Sequence, residues 1–82
     1  MSKPFHLNIS SPAKEIYDGE VTSITLPGSA GSFNILAGHA PIVSSLKQGT
    51  LRYTTSEGKE QSIDIQDGFV EMSNGIASIC IS

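Results

Sequence analysis

Residues that turn the chain recur roughly every eight to twelve positions, and this spacing constrains the fold more than any other feature. Ser11-Pro12, Asp18-Gly19, Pro27-Gly28, Gly38-His39-Ala40-Pro41, Gln48-Gly49, Ser56-Glu57-Gly58-Lys59, Asp67-Gly68 and Ser73-Asn74-Gly75 punctuate the sequence. Glycine reaches positive φ at little steric cost and proline fixes φ while removing a donor, so each cluster breaks a regular element. Between them apolar and polar residues alternate, as in Phe5-His6-Leu7-Asn8-Ile9-Ser10 and Ile63-Asp64-Ile65-Gln66. That period of two belongs to a strand with one buried face. Nowhere does an apolar i, i+3, i+4 pattern persist for three helical turns. The expected fold is all-β, a two-sheet β-sandwich of short antiparallel strands, forming one domain over residues 1–82.

Finer expectations follow from individual residues. Asp18-Gly19 predicts a tight hairpin between Lys14–Asp18 and Val21–Leu26. The apolar positions change phase between Val21 and Ile24, which marks a bulge or a strand that trades faces. The last strand, Ile76–Ile81, is apolar on both faces and predicts a buried position. Cys80, between Ile79 and Ile81, is expected to be a small structural residue within it. His6 falls on the polar side of its strand and is expected to be solvated.

Composition excludes several function classes. The net charge is −3, and the five basic residues (Lys3, Lys14, Lys47, Arg52, Lys59) are scattered. A nucleic-acid surface needs concentrated positive charge to displace counterions, and an anionic membrane surface needs the same. No stretch approaches the roughly 18 apolar residues of a membrane span, and MSKPFHLNIS has neither an apolar signal core nor an Arg-rich transit pattern. The single cysteine has no intramolecular disulfide partner and no metal-ligand spacing around it. Gly28-Ser29-Ala30-Gly31-Ser32 lacks the following helix and the Lys-Ser/Thr pair of a phosphate loop. Catalytic, cofactor and metal residues are therefore expected to be none, and the chain is not expected to be an enzyme.

What stands out instead is Leu26–Lys47, nearly free of charge and holding two sharp turns around the short run Phe33–Leu36. Turns held on a rigid framework are good docking surfaces. With those residues in view, the chain resembles the N-terminal β-sandwich domain of the epsilon subunit of F-type ATP synthases. The resemblance rests on Ile24-Thr25-Leu26-Pro27-Gly28-Ser29 leading through Gly31 and Phe33 to Gly38-His39-Ala40-Pro41. Leu46-Lys47, Gly49, Leu51-Arg52-Tyr53 and Gly68-Phe69-Val70-Glu71 follow in order. Leu7-Asn8-Ile9 and Tyr17-Asp18-Gly19-Glu20-Val21 match at the start.

The resemblance implies a non-catalytic rotor subunit in the central stalk, seated between the gamma subunit and the membrane c-ring and coupling ion translocation to ATP synthesis. It implies a c-ring contact through Ser29, Ala30, Gly31, Ser32, His39, Ala40 and Pro41, and a gamma contact through Ser11, Ile42 and Val43. The implied location is the cytoplasmic face of the bacterial inner membrane, peripheral through the complex, without lipid insertion or nucleotide binding. His39 reads as an interface or turn-anchoring residue. Family members often carry glutamates where this chain has Ala30 and Ser32, so the tip is expected to rely on shape and backbone groups. They often have proline in place of Ala37 and glycine in place of Asn34, the latter suiting a turn that tolerates left-handed geometry. Many continue into a C-terminal helical hairpin; with the listed sequence as the full length, coupling without helix-mediated inhibition is expected. The alternative is a small β-sandwich adaptor unrelated to ATP synthase, using the same turns on another protein.

Overall fold

The alternating segments become eight strands in a computed structural model, which describes residues 3–82. The first two residues of the expected domain lie outside the described residues. The strands are β1 (Phe5–Ser10), β2 (Glu15–Gly28), β3 (Gly31–Leu36), β4 (Ile42–Leu46), β5 (Gly49–Thr55), β6 (Glu60–Ile65), β7 (Gly68–Ser73) and β8 (Ile76–Ile81). Hydrogen bonding runs β1-β8-β7-β4-β2-β5-β6, with β3 on β2 and β1 also pairing β2, so part of the path closes on itself. Most pairs are antiparallel, but β1 and β8 run parallel.

β2 organises the sandwich because it belongs to both layers. Its first half pairs with β1, from Ser10↔Glu15 to Phe5↔Val21. Its second half pairs with β5 on one side and β3 on the other. The register shifts between Val21 and Ser23, where the strand passes from one layer to the next. An extra residue at a bulge bends a strand and sharpens its twist, and the sequence marks it by its change of apolar phase.

The core fills the space between the layers. Phe5, Leu7 and Ile9 of β1, Val70 and Met72 of β7, and Ala77, Ile79 and Ile81 of β8 face Ile24, Leu26, Ile35, Leu51, Tyr53 and Ile65 of the other sheet, all buried. Burying a side chain of this size contributes about 1.5–3 kcal/mol, so this interior is the main source of stability.

Three local expectations need correction. Asp18-Gly19 makes no turn: Gly19 lies inside β2, in register with Leu7. The β1–β2 hairpin is instead closed at Ser11 and Lys14, whose backbone groups bond each other in both directions. A pair of neighbouring strands can carry a glycine through the ladder when a side chain covers it, and here the Tyr17 ring folds over Gly19. β8 is buried on one face only, since Ile76 and Cys80 are exposed while Ala77, Ile79 and Ile81 are not. Cys80 is therefore a surface residue. Asn34 sits in the regular β3 ladder opposite Thr25, and the left-handed asparagine is Asn74 (φ 51°), followed by Gly75 (φ 76°). Two successive positive φ values are what a two-residue type I′ hairpin requires.

Candidate functional site

The first candidate turn is the tip of the β2–β3 hairpin. Gly28 and Gly31 pair across it, and Ser29 and Ala30 form the two-residue loop. Gly31 has φ 134°, outside the range open to ordinary side chains. A Cβ on Gly28 would fall 2.6 Å from the Gly31 carbonyl oxygen and 2.7 Å from the Phe33 ring, so the approach of the two arms also demands glycine.

The tip is clamped rather than free. The Ser29 N–H donates to the Ser45 carbonyl (3.1 Å), the Ser45 hydroxyl donates to the Ser29 hydroxyl (3.0 Å), and the Lys47 N–H donates to the Pro27 carbonyl (2.9 Å). These bonds tie the loop to the end of β4, across the sandwich. Ser29, Ala30, Gly31 and Ser32 are all exposed.

The second candidate turn, Gly38–Pro41, is fixed by its own side chain. The His39 N–H donates to the Leu36 carbonyl (3.1 Å), and imidazole Nδ1–H donates to the Ala40 carbonyl (2.7 Å). Of the two roles expected for His39, turn anchoring is the one visible in the chain. Ala40 and Pro41 are exposed, and His39 is partly so.

These two turns are not adjacent. They lie at opposite ends of β3, whose five residue-to-residue steps span about 17 Å at the usual rise. Nor do the three residues expected at gamma act alike. Val43 is 72% exposed, whereas Ile42 lies opposite buried Met72 and packs on the core. Ser11 sits in the β1–β2 turn.

The outer face of the β4-β7-β8-β1 sheet joins Ser11 to Val43. Ser45, Phe69, Cys80 and Ser10 lie in register across its four strands, as do Val43, Glu71, Ser78 and Asn8. Phe69 is 49% exposed there, and an open groove of about 380 Å³ lined by Pro12, Phe69, Cys80 and Ser82 adjoins it. Sequence reasoning missed Phe69 and Cys80 as surface residues. The signal was present in Glu71 and Ser78, two positions away on the same strands, because residues i and i+2 share a face.

His6 lies on this outer face as well, but it is not simply solvated. Its Nε2 is 2.5 Å from Asp18 Oδ1 and its Nδ1 is 3.2 Å from Glu20 Oε2. The Asp18 hydrogen bond first, and the Glu20 one second, raise its pKa above the ordinary histidine value. A raised folded-state pKa means that the stabilisation is complete below the unfolded value near 6.5 and fades as pH climbs through the folded value. With 38% of the imidazole exposed, solvent screening keeps the contribution below about 1 kcal/mol. Wild-type stability is expected to fall slightly relative to His6→Gln between pH 6 and 8, roughly the histidine range, in urea titrations. Parallel curves for the two proteins would show that the pair contributes nothing.

With that geometry established, the comparisons with known proteins become informative. The model of the β-sandwich domain of the ATP synthase delta/epsilon chain matches residues 4–82. The chain belongs to this family. The ATP synthase epsilon chain of Chlorobium limicola is 44% identical over 75 residues, covering 92% of this chain and 85% of that one. The epsilon chain of Dichelobacter nodosus is 39% identical over 72 residues, which are 88% of this chain but only 50% of that relative. Among solved structures, a chain of the Euglena gracilis mitochondrial ATP synthase (OSCP/F1/c-ring) superposes with TM-score 0.89 at 26% identity, over 95% of this chain and 50% of its own. A chain of the Tetrahymena thermophila central stalk and c-ring assembly gives TM-score 0.77 at 17% identity, over 98% and 64%, and shares the fold. The expected epsilon-type β-sandwich is thus the one observed.

Proposed function

We propose that this epsilon-family chain is a non-catalytic subunit of the central stalk of an ATP synthase, joining the gamma subunit to the c-ring. The observation that carries the reading is the match to epsilon chains along nearly the whole sequence. Its location would be the cytoplasmic face of a bacterial inner membrane, peripheral through the complex. The reading requires two separate contact areas on one stiff body, and two such areas exist on the surface.

The β2–β3 tip is one of them. Ala30 and Ser32 bring no charge, so contact with polar ring loops would use shape and the backbone of Ser29–Ser32. Because Gly38–Pro41 lies a strand length away, both turns can serve the same ring only by reaching different copies of a repeated loop. The gamma contact is the outer face bearing Val43 and Phe69, next to Ser11, with Ile42 supporting it from the core. A sandwich transmits force through interdigitated side chains and strand ladders, which suits a coupling element. Cys80 has Phe69 and Ser10 beside it in register, and His6 is engaged by carboxylates, an arrangement that supports a mechanical role over nucleophilic catalysis.

The test is capture of rotor components by the tagged chain from its native membranes. Ala40→Glu and Val43→Glu each add a charge that a docked partner would have to desolvate. Each is expected to weaken capture about tenfold or more, with unchanged circular dichroism. Ala40→Glu should lower recovery of the ring and Val43→Glu recovery of gamma. A fully coupled complex containing Ala40→Glu would remove that turn from the ring contact, and failure of the wild-type chain to capture either component would reject the reading.

A further inference from the structure

β3 presents an edge whose chemistry specifies what can cover it. The strand pairs with β2 through Gly28↔Gly31, Pro27↔Ser32, Leu26↔Phe33, Thr25↔Asn34, Ile24↔Ile35 and Ser23↔Leu36, without a register shift. Among the described residues its other edge pairs with no strand. In a two-residue hairpin the closing pair is hydrogen-bonded, and pairs then alternate between bonded and non-bonded. Pro27 therefore falls in a non-bonded pair, where its missing N–H breaks no bond to β3. Its carbonyl points away from β3, toward Lys47, and the Leu36 carbonyl points away from β2, toward His39. Both observations fix the same alternation. The backbone groups of Ser32, Asn34 and Leu36 consequently face outward.

Natural edge strands are usually blunted by charge, proline or a bulge. The opposite margin of this sheet, β6, carries Glu60 and Asp64. β3 has none of these devices, and Ser23–Gly28 opposite it carries no charge either. Phe33 is left only partly buried at the margin, and Leu36 is 54% exposed.

We propose that this edge pairs antiparallel with the β3 edge of a second copy of the chain, about a two-fold axis at Asn34. The strand is self-complementary in that register because its outward-facing positions are symmetric about Asn34. Asn34 of one copy exchanges backbone hydrogen bonds with Asn34 of the other, and Ser32 pairs with Leu36 on each side. Phe33 lies opposite Ile35 of the other copy, extending the apolar interior across the junction. The absence of charge lets two acidic molecules approach along this line. Pairing would cover Ser32, so a paired chain could not offer the whole hairpin tip to a ring.

Sedimentation equilibrium on the purified chain tests the pairing, with Asn34→Lys, Asn34→Asp and their equimolar mixture alongside wild type. Wild type is expected to enter a concentration-dependent monomer–dimer equilibrium. Either variant alone places like charges face to face on the axis and should weaken the dimer about tenfold or more. The mixture sets Lys opposite Asp and should restore it. Asn34 is exposed, so thermal midpoints should stay near wild type, and Asn34→Pro, which deletes an outward N–H, should also be monomeric. A wild-type chain that remains monomeric at millimolar concentration, or a dimer indifferent to both charges, would overturn the proposal. Neither result bears on capture of rotor components.

Discussion

Gly68→Ala is expected to be among the most destabilising single substitutions in the chain, although it adds one methyl group. Gly68 opens β7 and pairs with Ile81 at the end of β8. A Cβ there would overlap the Cys80 carbonyl oxygen and come within 3.2 Å of the Ile81 Cα. Those are backbone atoms, which cannot rotate away as a side chain end can. Relief requires the β7 and β8 ends to separate, loosening Ile79 and Ile81 from the core. Overpacking of this kind costs about 3 kcal/mol, near the upper end of its usual range. For a domain this small, each kcal/mol lowers the midpoint by about 4–8 °C, so a fall on the order of 10–20 °C is expected by calorimetry. Gly58→Ala is the comparison, because space there is open and only φ +89° opposes the change. A Gly68→Ala midpoint equal to wild type would contradict the β7–β8 register.

Ile24→Ala is expected to do comparable damage by the opposite route. Ile24 stands where β2 has just entered the second layer, with Ile35 in register on one side and Tyr53 on the other. All three are buried, Ile24 and Ile35 completely. Truncation removes three carbons from a row braced by strands that cannot collapse inward, so most of the cavity should persist. Large-to-small changes at such sites cost about 2–5 kcal/mol. A domain of this size has only a few times that in reserve. Urea unfolding should show a lower midpoint with an unchanged slope. A loss under about 1 kcal/mol would mean that the two layers close over the gap.

The fold class and most strand limits could be read from the sequence because alternation and turn residues agree over nearly the whole length. The phase change near Val21 even located the bulge. Asp18-Gly19 misled because a turn dipeptide is a local preference, and pairing with β1 through Leu7 overrides it. Cys80 misled because apolar neighbours in sequence lie on opposite faces of a strand; Ser78 was the better guide. For the docking residues, sequence indicated the two turns and their lack of charge. It could not indicate that β3 holds them apart, since separation in space depends on which strands pair. Ile42 and Val43 show the same limit: adjacent in the chain, they face opposite sides of one sheet.

The shared course of β2 has a mechanical consequence. One covalent backbone is woven into both layers, so shear between the sheets loads peptide bonds as well as side-chain contacts. Sliding is resisted without any disulfide. Amide hydrogens on either side of the Val21–Ser23 bend should then exchange only when the whole molecule opens, with similar protection in each half.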